Sequence, residues 1–151
     1  MSLDQWKEVL GQYEKLLDKL LLKPSIIICG GEPTISPLFL PILDYIKEKF
    51  GDIQVSVLTN GVTITNDFIN KTNKYNLTYQ VSLDGPNSET HDLVRGKGNF
   101  LKAITGISLL RKNNIQVSIL AILSKKSSQY LADFFTLAKN CLLYTSPSPR
   151  D

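Results

Sequence analysis

The chain has 151 residues, of which 42% are hydrophobic and 21% charged, with a formal net charge of +3. This length and apolar content favour one domain with a buried core. The lysines are scattered along the sequence, which therefore predicts no basic patch that would bind nucleic acid or a membrane. No apolar run approaches the roughly 18 residues of a membrane span, and the N-terminus has no signal-peptide pattern. We therefore expect a cytoplasmic protein without nucleic-acid or membrane partners.

Apolar residues recur at helical spacing from Leu3 to Leu22, which predicts an amphipathic first helix with its stripe in the core. The next run, Ile26 to Cys29, is rich in β-branched residues. It predicts a short strand that is buried on both faces, as in parallel sheets. Cys29 is interpreted as a small buried strand residue.

The alternation of helices and strands continues along the chain. The predicted elements are a helix over 37–50, a strand over 53–58, a helix over 66–74, a strand over 77–83, a long loop over 86–99, a helix over 100–112, a strand over 116–123 and a helix over 128–140. This order predicts βαβ units and a parallel α/β sheet. Right-handed crossovers then place the carboxyl ends of all strands at one edge.

Three polar turns that contain glycine follow predicted strands: Gly30-Gly31-Glu32-Pro33, Thr59-Asn60-Gly61 and Ser82-Leu83-Asp84-Gly85. In the first turn, paired glycines allow a ligand to approach the backbone, and the glutamate supplies acceptor oxygens for an ammonium or ribose hydroxyls. The lysine of a phosphate-binding loop is missing. Because all three turns fall at the ligand-binding edge of the sheet, they predict one small-molecule site. Ordinary turn chemistry is the alternative.

Together these turns resemble the radical S-adenosylmethionine (radical SAM) superfamily, most closely its SPASM-like branch of anaerobic sulfatase-maturating and other peptide-modifying enzymes. The resemblance rests on the first two turns and on Val81-Ser82-Leu83-Asp84-Gly85-Pro86, His91-Asp92, Arg95-Gly96 and Gly98-Asn99-Phe100. It covers residues 1–140, which we treat as one domain. The resemblance implies part of a (β/α)6 partial TIM-type barrel with parallel strands, about strands two to five.

The first turn is implied to bind the amino group of S-adenosylmethionine. The backbone carbonyls of Gly30 and Gly31 and the carboxylate of Glu32 are acceptors that suit a methionyl ammonium. Pro33 fixes φ within the same turn and removes one backbone donor. By the resemblance, all four residues are cofactor-binding.

The later motifs are implied to bind the rest of the cofactor. Ser82 would contact the methionyl carboxylate or the ribose, and Arg95 would pair with the carboxylate, which a guanidinium can bind through two hydrogen bonds. Asn60 would face the cofactor, and Asp84 would lie near the ribose or the substrate. The last predicted strand would provide apolar contacts to adenine.

Three of these residues have a second interpretation. Arg95 lies in a glycine-rich loop and is also compatible with a surface position. Asp84 precedes Gly-Pro and is also compatible with a turn former. His91, the only histidine, is interpreted as ordering its loop by local hydrogen bonds together with Asp92 rather than titrating in catalysis.

The cysteines depart from the superfamily pattern. Its chemistry depends on a Cys-x3-Cys-x2-Cys loop that binds a [4Fe-4S] cluster through thiolates, and neither Cys29 nor Cys141 has that spacing. We therefore interpret the chain as part of a longer enzyme, with Met1 internal or a start assigned too late. Residues 141–151 resemble a translated sequencing adapter and are expected to be a disordered, non-native tail.

The resemblance implies an activity for the complete enzyme. A reduced cluster would cleave S-adenosylmethionine to methionine and a 5′-deoxyadenosyl radical, which abstracts hydrogen from a small-molecule or peptide substrate. Ferredoxin or flavodoxin would donate the electron, and the chain by itself is expected to be inactive. Two alternatives stay open: a non-catalytic nucleotide-binding or scaffold module of the same fold, and an unrelated α/β protein whose turns agree by chance.

Overall fold

The computed structural model describes residues 1–122 and 127–142. Its four strands form one parallel sheet in the order β1-β2-β3-β4. The strands are β1 (Ile26–Ile28), β2 (Val55–Thr59), β3 (Leu77–Ser82) and β4 (Val117–Leu120). The helices are α1 (Leu3–Leu20), α2 (Phe39–Phe50), α3 (Asn66–Thr72), α4 (Ser88–Arg95), α5 (Asn99–Lys112) and α6 (Leu131–Leu142). This arrangement confirms the predicted α/β class and the parallel sheet.

The core lies between the helices and one face of the sheet. Alternate residues of the two central strands are buried, because successive strand side chains point to opposite faces. They are Val55, Val57, Leu77, Tyr79 and Val81. Residues at helical spacing on α2 and α5 pack against them. These are Leu43, Ile46, Ala103, Ile107 and Leu110. The sheet is thereby fixed in register, and all four strands point their carboxyl ends to the same edge.

Helix α1 begins as the sequence predicts but is less buried. The Ser2 hydroxyl accepts a hydrogen bond from the Gln5 N–H, and the Gln5 carboxamide accepts one from the Ser2 N–H. Leu10 and Leu17 are buried. Four further residues of the predicted stripe are 45 to 93% exposed, namely Val9, Leu16, Leu20 and Leu21. The prediction that the stripe lies in the core is therefore confirmed at Leu10 and Leu17 and wrong at the four exposed positions.

Strand β1 also departs from the prediction. Ile27 is 61% exposed and Cys29 is exposed, so the predictions of a strand buried on both faces and of a buried cysteine are wrong. Within the described residues β1 pairs with β2 alone. A strand at the edge of a sheet has a neighbour on one side, and no described element covers the face that carries Ile27.

The predicted loop over 86–99 contains helix α4. The Asn87 carboxamide oxygen accepts a hydrogen bond from the Thr90 N–H and begins this helix. Its apolar residues Leu93 and Val94 are 84% and 67% exposed. The sequence shows no periodic apolar stripe there, and the helix was missed for that reason.

The last elements differ from the predictions in their bounds. Strand β4 ends at Leu120, and residue 123 of the predicted strand lies outside the described residues. A 3-10 turn, Ser128–Tyr130, precedes α6, which continues to Leu142 rather than ending at residue 140. Residues 143–151 of the expected tail lie outside the described residues. In the part of the chain that the structure describes, no helix has the length and apolar character needed to cross a membrane.

Candidate functional site

The carboxyl ends of the four strands surround a cavity of about 250 Å³. Six of the predicted site residues line it: Gly30, Gly31, Glu32, Asn60, Ser82 and Arg95. Its other lining residues are Leu58, Thr59, Leu120 and Ile122. The parallel sheet therefore brings the three predicted turns together around one cavity, with polar groups on the turns and apolar side chains from β2 and the end of β4.

The two other predicted residues lie behind this lining. Pro33 is buried and begins a 3-10 turn, Pro33–Ile35, which leads away from the cavity. The Oδ2 atom of Asp84 accepts a hydrogen bond from Nε of Arg95 at 2.5 Å. Both residues therefore contact the site through their neighbours rather than through its walls.

The Glu32 carboxylate joins two strand ends. Its Oε1 accepts hydrogen bonds from the Thr34 hydroxyl at 2.6 Å, the Thr34 N–H at 3.3 Å and the Thr59 hydroxyl at 2.6 Å. Its Oε2 accepts one from the Asn60 N–H at 2.7 Å. The first turn is thus attached to the end of β2 by one side chain.

Asn60 itself shapes the second turn. Its side-chain oxygen accepts a hydrogen bond from the Val62 N–H at 2.9 Å, which is a typical asparagine turn. Gly61 follows with a φ of +75°, a conformation that glycine adopts without strain. A Cβ on Gly106 of α5 would lie 2.4 Å from the Gly61 carbonyl oxygen. Helix α5 can therefore pack directly on this turn because residue 106 is glycine.

Two adjacent side chains of α4 fix the segment that carries Arg95. The buried His91 accepts a hydrogen bond from the Asp84 N–H through Nδ1 at 3.2 Å, as the local-ordering interpretation predicts. Asp92 accepts hydrogen bonds from the Gly98 N–H at 2.6 Å and the Phe100 N–H at 2.8 Å. It thus supplies the cap that α5 lacks at its own N-cap glycine.

The surroundings of His91 and Asp92 determine the direction in which the pKa of each is shifted. Burial lowers the pKa of His91, while the charges of Asp92 and Asp84 oppose the shift. The hydrogen bond from the Phe100 N–H, with a second from the Gly98 N–H, lowers the pKa of Asp92. A neutral His91 is required for Nδ1 to accept from the Asp84 N–H.

Sequence reasoning missed several residues of the site. Thr59 and Thr34 were not singled out, although both donate to Glu32. Gly106 carries no signal in the sequence that shows which backbone it faces. The contribution of Leu58 to the apolar wall depends on the register of the sheet, which strand composition does not determine. Ile122 belongs to the last predicted strand, which was expected to provide apolar contacts.

Residues 1–122 and 127–142 hold no group of three or more His, Cys, Asp and Glu side chains placed to bind a metal ion. Cys29 is exposed beside the first turn, and Cys141 lies on α6. These are the two cysteines of the sequence. Three thiolates for an iron–sulfur cluster are therefore not available from this chain.

A parallel α/β sheet with a cavity at its carboxyl edge is typical of barrel and doubly wound proteins that bind small molecules there. Residues 2–138 match the family model of the radical SAM superfamily. The chain belongs to that superfamily, so the predicted family is confirmed and the unrelated α/β protein is excluded. The superfamily uses S-adenosylmethionine and a [4Fe-4S] cluster.

Three comparisons describe the similarity. The AdoMet-dependent heme synthase of Methanosarcina barkeri is 34% identical over 119 residues, which cover 78% of this chain and 34% of that protein. The serine-type anaerobic sulfatase-maturating enzyme of Bacteroides thetaiotaomicron is 29% identical over 139 residues, covering 83% of this chain and 33% of that protein. The chain thus spans about a third of the length of these relatives.

The third comparison is with the crystal structure of Streptococcus suis SuiB bound to S-adenosylmethionine. The TM-score is 0.73 at 19% identity, and the match covers 93% of this chain and 32% of SuiB. This likeness concerns the fold. It confirms the predicted partial TIM-type barrel.

Proposed function

We propose that the cavity binds S-adenosylmethionine and that the chain is part of a radical SAM enzyme. The convergence of Gly30, Glu32, Ser82 and Arg95 on one cavity carries this proposal. The backbone carbonyls of the glycine turn and the carboxylate of Glu32 accept hydrogen bonds from the methionyl ammonium group. The guanidinium of Arg95 pairs with the methionyl carboxylate, which it suits in both charge and shape.

The remaining predicted residues complete the assignment. Ser82 contacts the carboxylate or the ribose, and Asn60 faces the cofactor from the second turn. Asp84 lies near the ribose or the substrate and holds Arg95, while Pro33 fixes the first turn from behind. The apolar wall suits the adenine ring.

The charges of the site support this ligand over a nucleotide. Glu32 and Asp84 carry two negative charges against one positive charge on Arg95, which gives a formal balance of −1. S-adenosylmethionine carries a sulfonium, an ammonium and a carboxylate, with a balance of +1. The negative phosphates of a nucleoside triphosphate would be repelled by the two carboxylates and attracted by one guanidinium only. The charge of the site therefore favours S-adenosylmethionine.

The two cofactors of the superfamily fit this chain differently. The cavity has acceptors, a guanidinium and an apolar wall that would hold S-adenosylmethionine. In the complete enzyme, this group would supply a radical that abstracts a substrate hydrogen, once an external electron donor had reduced it. The cluster does not fit, because the chain has two cysteines and needs three. We therefore assign no cluster ligand and derive no step through the cluster.

The proposal includes partners and location. A peptide substrate is supported by the solved structure of SuiB bound to the precursor peptide SuiA. A ferredoxin or flavodoxin would serve as electron donor, and the unpaired cysteines are compatible with the cytoplasm. We also propose that residues 1–140 form the core domain and residues 141–151 a non-native tail, the first two residues of which continue helix α6.

Isothermal titration of the 151-residue chain with S-adenosylmethionine, S-adenosylhomocysteine and ATP tests the proposal. We expect S-adenosylmethionine to bind most tightly, since S-adenosylhomocysteine lacks the sulfonium charge. Arg95→Ala should weaken this binding at least tenfold, as loss of a charged hydrogen bond does. Preference for ATP, or no effect of Arg95→Ala, would contradict it. Binding without reductive cleavage in the complete protein would favour the non-catalytic module instead.

A further inference from the structure

The two oxygens of the Glu32 carboxylate have different surroundings. An ionised carboxylate offers about four acceptor positions, two on each oxygen. Oε1 already accepts from three donors on Thr34 and Thr59, whereas Oε2 accepts from the Asn60 N–H alone. Within the described residues, Oε2 is therefore the oxygen with acceptor capacity left for a ligand.

The negative charge of the Glu32 carboxylate determines the direction of the hydrogen bonds that the threonine hydroxyls make. A carboxylate only accepts, so the hydroxyls of Thr34 and Thr59 both donate to Oε1. The hydroxyl proton of Thr34 is then already in a hydrogen bond to Glu32. The Thr63 hydroxyl, which contacts the Thr34 hydroxyl, must therefore donate its own proton to the Thr34 oxygen. The Thr59 oxygen in turn accepts from the Gly61 N–H at 3.1 Å. A continuous chain of hydrogen bonds thus connects the first turn, the second turn and the loop after it.

We propose that Thr59 and Thr34 are positioning residues that hold Glu32 by Oε1, so that Oε2 faces the ammonium group of the cofactor. This inference rests on the proposed function. Thr59 is 2% exposed, so loss of its hydroxyl leaves Oε1 of Glu32 with one donor fewer at a position that has little contact with water. Because Asn60 binds Oε2 through its backbone, the same contacts fix the distance between the two turns that contact the ligand.

A merely structural role for Thr59 gives a different expectation. In that case loss of the Thr59 hydroxyl would lower the stability of the fold but leave the free energy of cofactor binding unchanged. A positioning role moves the affinity and the local protection of the Asn60 N–H together. Restoring the hydroxyl on a smaller side chain should restore both.

The experiment uses Thr59→Val, which keeps the shape of the side chain and removes the hydroxyl, and Thr59→Ser, which keeps the hydroxyl. Thr78→Val is the matched control, since Thr78 lies on the adjacent strand and its hydroxyl contacts Ser56 instead. We expect Thr59→Val to weaken binding of S-adenosylmethionine about tenfold, as loss of a hydrogen bond to a charged group does. Thr59→Ser and Thr78→Val should stay within about threefold of the wild type.

Hydrogen exchange of the Asn60 amide in the ligand-free chain provides the second measurement. Thr59→Val should accelerate this exchange, and Thr59→Ser should not. Unchanged affinity for S-adenosylmethionine in Thr59→Val, or unchanged Asn60 exchange, would overturn the inference. If the wild type does not bind S-adenosylmethionine, the proposed function fails, while the Asn60 exchange still decides whether Thr59 positions Glu32. Should Thr59→Val fail to fold, Thr34→Val at its half-buried position replaces it, with Thr34→Ser as its rescue.

Discussion

Arg95 donates a hydrogen bond from Nε to Oδ2 of Asp84, and the two residues form an ion pair behind the cavity. The Asp84 side chain is 10% exposed and the Arg95 side chain 33%. Since Nε faces Asp84, the terminal nitrogens of Arg95 are left to bind a ligand carboxylate. Asp84 thereby fixes the orientation of the residue that we assign to the cofactor.

Asp84→Asn tests this relationship, because it removes the charge and keeps the shape. We expect the free energy of unfolding to fall by about 1 to 2 kcal/mol, a buried-pair value reduced for the partial exposure of Arg95. Binding of S-adenosylmethionine should weaken as well. Urea unfolding and isothermal titration measure the two effects.

Asp67→Asn is the control for this prediction. Asp67 and Lys71 form an exposed ion pair one helical turn apart, with side chains 74% and 60% exposed. Such pairs contribute about 0.5 kcal/mol or less. Equal losses in Asp84→Asn and Asp67→Asn would contradict the role that we give Asp84.

His91 predicts a pH dependence of stability. Burial holds the pKa of His91 below its usual value, so the unfolded chain binds a proton before the folded chain does. The stability is therefore full above about pH 6.5, the unfolded pKa, and is lost as the pH falls from there to the folded pKa. Urea unfolding between pH 7.5 and about pH 5 should show this loss.

The His91→Gln variant isolates that contribution, since glutamine keeps a hydrogen-bond acceptor and does not titrate. Its stability should change less than that of the wild type between pH 7.5 and about pH 5. Asp92 does not interfere, because its pKa is lowered in the folded chain. The stability that it contributes is therefore lost only as the pH falls below about 3.9, the usual pKa of an aspartate. Parallel pH profiles of the wild type and His91→Gln would disprove the assignment to His91.

The fold was predictable from local patterns, whereas the site was predictable only in part. Glycine and asparagine at strand ends, together with right-handed crossovers, place the turns of Glu32, Asn60 and Ser82 at one edge without any knowledge of contacts. The network on Glu32 was not predictable, because it depends on the register in which Ile28 pairs with Val57. A sequence shows that Thr59 has a hydroxyl but not what that hydroxyl faces.

The errors in burial have one physical origin. Periodicity identifies the apolar face of α1 and the β-branched character of β1, but it does not say whether a partner covers them. Leu16 and Ile27 are exposed for this reason. Helix α4 was missed for the converse reason, since Leu93 and Val94 lie on no buried face.

Gly106→Ala should disturb the second turn from a position outside the cavity. The added Cβ would lie 2.4 Å from the Gly61 carbonyl oxygen and 3.1 Å from Cβ of Ile64. Helix α5 or the turn must then shift, and we expect a loss of about 1 to 3 kcal/mol in the free energy of unfolding. S-adenosylmethionine should also bind more weakly, because Asn60 belongs to the same turn.

Gly11→Ala is the matched control in an open position. Nothing lies within 4 Å of a Cβ built on Gly11 in the middle of α1, so alanine should stabilise the chain by about 0.5 to 1 kcal/mol. The two substitutions should therefore shift the midpoint of thermal unfolding in opposite directions. A midpoint that is unchanged or raised in Gly106→Ala would show that α5 does not pack on the second turn as described.

The uncovered face of α1 predicts self-association of the 151-residue chain. Leu16, Leu20 and Leu21 are exposed by 52, 53 and 93%, and Ile27 is 61% exposed on the edge strand. Contiguous exposed apolar residues associate in water, and an unpaired strand edge adds a surface for pairing. Sedimentation velocity over a range of protein concentrations should show a weight-average mass that rises above 16.9 kDa.

Leu16→Lys should reduce this association, because it places a charge in the middle of the exposed apolar face. Gln12→Lys adds the same charge one turn earlier on α1, at a position that is already exposed and polar, so its effect should be small. Since Leu16 is half exposed and α1 keeps its buried Leu10 and Leu17, Leu16→Lys should change the free energy of unfolding little. A monodisperse wild type, or equal behaviour of the two lysine variants, would mean that this face does not drive association.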